Sequence, residues 1–133
     1  ALAIIDLDGF KEINDRHGHT AGDSLLQMAA RRLEGCVRST DTVARFGGDE
    51  FGIVLGNLHG SQECETVALK VLDVLAKPFD LDGSMVRISA SVGAALFPLH
   101  AEGGQDLLKH ADQAMYAAKH AGKNRFHSAD GQG

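Results

Sequence analysis

Ala44-Arg45-Phe46-Gly47-Gly48-Asp49-Glu50-Phe51-Gly52-Ile53-Val54-Leu55 sets two adjacent carboxylates at the tip of what reads as a buried β-hairpin. Thr42–Phe46 and Phe51–Leu55 are short, apolar and β-prone, and Gly-Gly-Asp-Glu between them supplies the turn. Gly and Asp are common turn residues, so the stretch alone fits a plain hairpin. A second acidic site changes that balance. The chain opens with ALAIID, a continuous apolar run expected of a central strand buried on both faces, and it ends in Asp6-Leu7-Asp8. With that strand beside the hairpin, Asp6, Asp8, Asp49 and Glu50 converge on one sheet edge.

Outward from the hairpin the pattern alternates. Asp23-Ser24 offers caps for a helix carrying Leu25, Leu26, Ala29, Leu33 and Cys36 at helical spacing. A second helix, from about Gln62 to Ala76, presents Cys64, Val67, Ala68, Val71, Leu72 and Leu75 on one stripe and ends at Lys77-Pro78. Phe79–Leu81 and Met85–Leu96 read as strands around an Asp82-Gly83 turn. A third helix, from about Gln105 to His120, turns Leu107, Leu108, Ala111, Ala114, Met115 and Ala118 inward. Gly122 ends it, and Arg125–His127 adds a short strand. The order β-α-ββ-α-β(β)-α-β predicts an α+β domain: a ferredoxin-like antiparallel sheet backed by helices, with one extra helix–strand unit.

The 133 residues are most simply one domain, 44% hydrophobic and 23% charged, which argues against disorder. No apolar run reaches the ~18 residues that span a bilayer. A net charge of −5 disfavours broad binding to nucleic acid or anionic membrane, so an anionic substrate needs local neutralisation. Cys36 and Cys64 read as buried, reduced thiols in a cytoplasmic domain. Neither a zinc pattern nor a GxxxxGK[ST] loop occurs. Clustered carboxylates repel and need a cation, and oxygen ligands favour Mg²⁺ or Mn²⁺, which share substrate phosphates. Gly47 and Gly48 allow a tight turn and close ligand approach.

Several blocks then carry a family resemblance. Asp6-Leu7-Asp8-Gly9-Phe10-Lys11-Glu12-Ile13-Asn14-Asp15, Gly18-His19 and Gly22-Asp23 resemble the DxDxFKxxND…GHxxGD segment of GGDEF domains. Gly47–Phe51 supplies the name motif. Ser89–Ala95 and Ala111–Asn124 resemble the later strand and last helix. The resemblance spans nearly the whole chain and implies a diguanylate cyclase, which condenses two GTP into cyclic di-GMP with release of two pyrophosphates. It also implies a palm-type, nucleotidyl cyclase-like fold, agreeing with the order above. The family's usual N-terminal helix has no counterpart in residues 1–133, so the expectation is a GGDEF domain without that helix.

By this resemblance Asp6, the Leu7 carbonyl and Asp49 are metal ligands, with two ions per site and Glu50 in support, and Asp49 receives the hydroxyl proton. Lys11 meets the triphosphate, although a helix-start lysine is also a common solvated residue. Phe10 and its neighbours offer backbone N–H groups to phosphate. Lys119 and Lys123, four apart on a helix face, are assigned to the terminal phosphates, and they equally suit a helix C-terminus. Asn14 and Asp23 match the guanine-contacting positions. A carboxylate accepts from guanine N1–H and N2–H₂, which adenine lacks. Asp23 also suits a helix N-cap, and His19 is expected to brace the loop. Arg38 and Asp41 match the RxxD inhibitory motif that binds cyclic di-GMP. The implied partners are GTP, cyclic di-GMP as product and inhibitor, a second copy of the chain, and a flanking sensory or phosphodiesterase domain in the full-length protein. The domain itself is expected in the cytoplasm, a location compatible with a membrane-anchored parent protein. A catalytically silent module that binds GTP or cyclic di-GMP to regulate an attached domain is the alternative.

Overall fold

A computed structural model describes residues 1–56, 61–97 and 103–129. β1 (Leu2–Asp8) is buried along its whole length. It pairs antiparallel with β3 (Glu50–Val54) on one side and β6 (Ser89–Ala95) on the other. β2 (Thr42–Gly47) extends the sheet beyond β3, and β7 (Arg125–Ser128) extends it beyond β6, giving the order β2-β3-β1-β6-β7. All pairings are antiparallel except β6–β7, which is parallel. That makes the sheet mixed, because the chain returns to β7 through helix α4 (Gly104–His120), and such a crossover delivers a parallel neighbour.

Strand alternation divides the core. Ala3, Ile5 and Leu7 share a face with Phe51, Ile53, Ala90, Val92 and Ala94, packed under α2 (His19–Glu34) and α3 (Ser61–Ala76). Leu2 and Ile4 point the other way, against Ala111 and Met115 of α4. The contact with α4 is closest at Gly93. A Cβ there would lie 1.9 Å from the Met115 backbone nitrogen, so only glycine lets α4 lie flush on β6.

Several expectations need correction. The helix read from Asp23 begins earlier, at His19, as α2, and a separate helix absent from the expected order, α1 (Phe10–His17), precedes it. Gly18, at φ 93°, supplies the break, and Asp23 lies inside α2 rather than capping it. The hairpin is buried only along β3. β2 is an edge strand, and Phe46 is 52% exposed. Met85–Leu96 is interrupted at Arg87-Ile88. β5 (Ser84–Val86) pairs with β4 (Phe79–Leu81) in a separate two-stranded sheet, while β6 joins the central one. Leu108 turns outward from α4, off the face that buries Ala111, Ala114, Met115 and Ala118. Among the described residues, no helix is long and apolar enough to cross a membrane.

Candidate functional site

The paired acids are set by sheet register. Asp6 and Glu50 are direct Cα partners across β1–β3, so their side chains emerge side by side on the α4 face. The turn places Asp49 immediately beyond them, and its carbonyl accepts the Leu7 N–H at 3.1 Å. Gly47 (φ 136°) and Gly48 (φ 51°) supply the left-handed geometry of that turn. Arg45 fastens it from behind, since its guanidinium donates to the Gly48 carbonyl at 2.9 and 3.1 Å. Arg45 was not singled out from the sequence. Its position just before the glycines was the available signal.

Lys119, from the last turn of α4, donates to Asp6 Oδ2 at 2.5 Å. The other oxygen, Asp6 Oδ1, is buried and has no hydrogen-bond partner among the described residues. Burial holds the Asp6 carboxyl above its ordinary value. The bond from Lys119 opposes that rise, and the charges of Asp49 and Asp8 add to it. Lys119 is itself raised, chiefly by its bond to Asp6. Both partners moving upward means that the ammonium keeps its proton, while burial outweighs its help to the carboxylate. Glu50 is also raised, first by burial and then by the charges of Asp112, Asp6 and Asp49.

A bare, buried carboxylate oxygen facing two further acids is chemically suited to a hard divalent cation. Asp6, Glu50 and Asp49 are the carboxylates of this corner. Among the described residues, no group of three or more His, Cys, Asp or Glu side chains is already gathered as a metal centre.

Asp8 does not join this group. Its Oδ2 accepts from Ser89 Oγ (2.7 Å) and the Asn124 N–H (3.1 Å), and its Oδ1 accepts from Ser91 Oγ (2.8 Å). With both oxygens engaged, it is a strut between β1, β6 and the segment after α4. The strands place Ser89 and Ser91 there from eighty residues away, so the local D-L-D pattern could not separate Asp8 from Asp6.

The second group lies on α1 and α2. Gly9 (φ 81°) turns the chain from β1 into α1, where Phe10 is half-buried and Lys11 exposed. Asn14 Nδ2 lies 3.2 Å from His19 Nδ1, so His19 braces Asn14 across the α1–α2 junction. A Cβ on Gly22 would meet Asn14 Oδ1 at 2.3 Å and Phe10 Cζ at 3.3 Å. Asp23 follows directly and faces a groove of 390 Å³ shared with Arg45 and Phe51. Lys123 does not share a helix face with Lys119. The helix stops at His120, Gly122 takes φ 130°, and Lys123, at φ 66°, donates its N–H to the Ala118 carbonyl at 3.1 Å.

Arg38 and Asp41 sit apart from both groups. Arg38 Nε and Nη2 donate to Asp41 at 3.2 and 3.3 Å, and Arg38 also donates to the Gly56 carbonyl. The Gly56 N–H returns a bond to Asp41 Oδ1 at 3.2 Å. Gly56 follows the far end of β3, so this pair lies roughly 20 Å of strand from Glu50. The Arg38 bond holds the Asp41 carboxyl below its ordinary value. A groove of 440 Å³ lined by Cys36, Arg38, Asp41, Leu55 and Lys70 opens beside it.

Residues 1–125 match the family model described as "Diguanylate cyclase, GGDEF domain". The diguanylate cyclase TpbB of Pseudomonas aeruginosa is 46% identical over 120 residues, covering 90% of this chain and 28% of that protein. A crystal structure of the TpbB GGDEF domain gives a TM-score of 0.93 at 42% identity, covering 96% of this chain and 80% of that one. MucR of the same organism, a bifunctional diguanylate cyclase/cyclic di-GMP phosphodiesterase, is 42% identical over 126 residues, covering 95% of this chain and 18% of MucR. The GGDEF domain of DgcB from Caulobacter crescentus, solved in complex with c-di-GMP, gives a TM-score of 0.84 at 29% identity, covering 97% of this chain and 77% of that one. The chain thus spans less than a third of the length of the curated relatives described.

Proposed function

The chain belongs to the GGDEF family of diguanylate cyclases, and from that premise we propose that it condenses two GTP into cyclic di-GMP and two pyrophosphates. The observation that carries this reading is the Asp6–Glu50 register pair beside Asp49, with Asp6 Oδ1 left bare. Each bond-forming step joins a 3′-hydroxyl oxygen to the α-phosphorus of the other nucleotide and breaks that phosphorus's bond to pyrophosphate. A bound Mg²⁺ or Mn²⁺ pair would acidify the hydroxyl and stabilise charge on the phosphate. Asp6, Asp49 and the Leu7 carbonyl hold it in this reading, with Glu50 supporting.

Asp49 receives the hydroxyl proton, from a turn fixed by Arg45 on one side and Leu7 on the other. Lys11, Lys119 and Lys123 offset the triphosphate charge, and the backbone after Gly9 offers N–H groups to phosphate. Asn14 and Asp23 accept the guanine edge. An unpaired Asp23 opposite adenine costs about 1–3 kcal/mol, enough to disfavour ATP by roughly ten- to a hundred-fold. One GTP site per chain means that two copies must face each other for the ring to close. Arg38 and Asp41, beside their own groove at the far end of β3, form the product-inhibition site. The cyclic di-GMP complex of the DgcB domain supports a product site in this fold. Flanking domains control the pairing, in line with the short share of MucR and TpbB that the chain covers. The site works in the cytoplasm, where GTP is available.

The test is incubation of the full chain, alone and fused to a dimerising coiled coil, with GTP and Mg²⁺ or Mn²⁺, followed by separation of nucleotides. Cyclic di-GMP from the wild type and none from Asp49→Ala is the expected result. No product from any form, with GTP or cyclic di-GMP still bound, would establish the silent module instead.

A further inference from the structure

Lys119 is engaged in a way that the phosphate role alone does not require. Its ammonium sits on Asp6 Oδ2 at 2.5 Å, and the Asp6 side chain is only 9% exposed. Asp49, Asp8 and Glu50 are the neighbouring acids, with Asp112 beyond Glu50 on α4. Lys119 is the cation bonded to the buried carboxylate of this group. It satisfies one Asp6 oxygen and leaves the other bare.

We propose that Lys119 is a resident counter-cation for Asp6 that a divalent ion must displace, so that metal entry is coupled to nucleotide binding. This rests on the reading of Asp6 as a metal ligand given above. Three features support it. An ammonium held on one Asp6 oxygen lies only a few ångströms from an ion bound at the other, and like charges that close repel strongly in a partly buried site, so the ion binds best once the lysine has left. The lysine is free to leave: its side chain is 36% exposed and hangs from the last turn of α4, one residue before the helix stops. Asp6 stays, because β1 is paired on both sides.

The consequence is an order of preference. Without nucleotide, the ammonium competes with metal and keeps the acidic corner neutralised. A triphosphate bound at this edge offers the ammonium a second, more negative partner and frees Asp6. Nucleotide and metal then raise each other's affinity, as reciprocal linkage requires. A lysine serving only the phosphates would leave metal binding indifferent to its removal when no nucleotide is present.

The test is Mn²⁺ binding to the full chain, read as loss of the free-ion electron paramagnetic resonance signal. Without nucleotide, Lys119→Met is expected to bind Mn²⁺ about tenfold tighter than wild type, roughly the worth of one charge-assisted hydrogen bond. Lys123→Met removes the same charge nearby and is expected to change the affinity less than about twofold, which separates displacement from the general field. A non-hydrolysable GTP analogue should tighten Mn²⁺ binding to wild type, and this gain should shrink at least threefold in Lys119→Met. The ¹⁵N signal of the Lys119 ammonium should shift when Mg²⁺ is added to the nucleotide-free chain. Equal Mn²⁺ affinity in wild type and Lys119→Met, or an equal effect from Lys123→Met, would overturn the proposal. Tighter binding by Lys119→Met in a chain that makes no cyclic di-GMP would sink the cyclase reading alone. Product formation with unchanged affinity would sink the exchange alone. Failure of every variant to bind Mn²⁺ would sink both.

Discussion

Gly93→Ala is expected to be among the costliest small substitutions in this chain, although it adds a single methyl group. That methyl would lie 1.9 Å from the Met115 nitrogen and 2.5 Å from both the Ala111 oxygen and Met115 Cα. These are backbone atoms of α4, so no side-chain rotation relieves the clash. Ordinary contact needs about 3.4 Å, so helix and strand must part by about 1.5 Å. β6 cannot yield easily, being paired to β1 and β7. α4 must therefore retreat, loosening Met115 and Ala111 from Leu2 and Ile4. Overpacking of this kind costs roughly 1–3 kcal/mol and occasionally more. We expect about 3 kcal/mol, or a fall in Tm of roughly 10 °C for a domain of this size. Urea unfolding followed by circular dichroism gives the number, with an unchanged m-value showing that the unfolded state is not the cause. Gly52→Ala is the matched control, one strand position on the same face. The nearest atoms its methyl would meet belong to the ring of Phe46, which is 52% exposed and can swing away. A Gly93→Ala variant within 0.5 kcal/mol of wild type, or a Gly52→Ala variant equally damaged, would refute this reasoning.

Gly22→Ala should act on binding rather than folding: its methyl displaces Asn14 Oδ1, now 2.3 Å away, and breaks the bond to His19. Titration with a fluorescent GTP analogue should show at least tenfold weaker binding, while Tm holds because alanine favours the helix. Arg32→Ala should cost about 2–3 kcal/mol in urea unfolding, since its guanidinium bonds the carbonyls of Val74, Lys77 and Pro78 and lies 3.6 Å over the Phe79 ring. Glu50→Gln should raise Tm at pH 7 in metal-free buffer. The folded Glu50 value lies above 4.5, chiefly through burial, so the stability of its protonated form is complete below 4.5 and lost as pH rises through the folded value. The advantage of Gln should therefore close as pH falls towards 4, and a gain independent of pH would contradict it. Arg38→Ala should weaken cyclic di-GMP binding at least tenfold by calorimetry, and unchanged affinity would remove the second-site reading.

Long apolar runs carried most of the fold in the sequence. The unbroken ALAIID marked a strand buried on both faces, and the stripes from Cys64 to Leu75 and from Ala111 to Ala118 marked α3 and α4. Where an element buries little, its pattern is easily passed over. α1 buries no residue fully and sets only Phe10 and Ile13, half-buried, against the core, so its eight residues offered too short a stripe to be counted as a helix of its own. A helix ending at Gly122 already conflicted with Lys119 and Lys123 sharing a face; the left-handed turn through Gly122 and Lys123, which spacing alone does not encode, carries Lys123 off it. Parallel addition of β7 depends on a crossover that no local pattern encodes. In the site, the turn acids and Asp6 were legible because register follows from adjacency. The bond between Lys119 and Asp6 was not, since it joins residues far apart in sequence.

Asp6 and Asp8 show why composition cannot assign such roles. They are two residues apart on one strand, point to the same face, and are each 6% exposed. Their difference lies in how β6 spends its hydroxyls. Ser91 is the register partner of Asp6, and Ser89 that of Asp8. Yet the Ser91 hydroxyl leans along the strand to Asp8 Oδ1, so Asp8 collects both serines and the Asn124 N–H. Asp6 is left with one ammonium and a bare oxygen. A carboxylate with both oxygens engaged in three hydrogen bonds is a fixed joint, and replacing it disturbs the sheet and the segment after α4. A carboxylate with a desolvated, unpaired oxygen is held at a cost in folding stability, and any ligand that supplies the missing positive charge recovers that cost as binding energy. The same strand therefore carries one acid that stabilises the scaffold and, two residues earlier, one that is poised to bind.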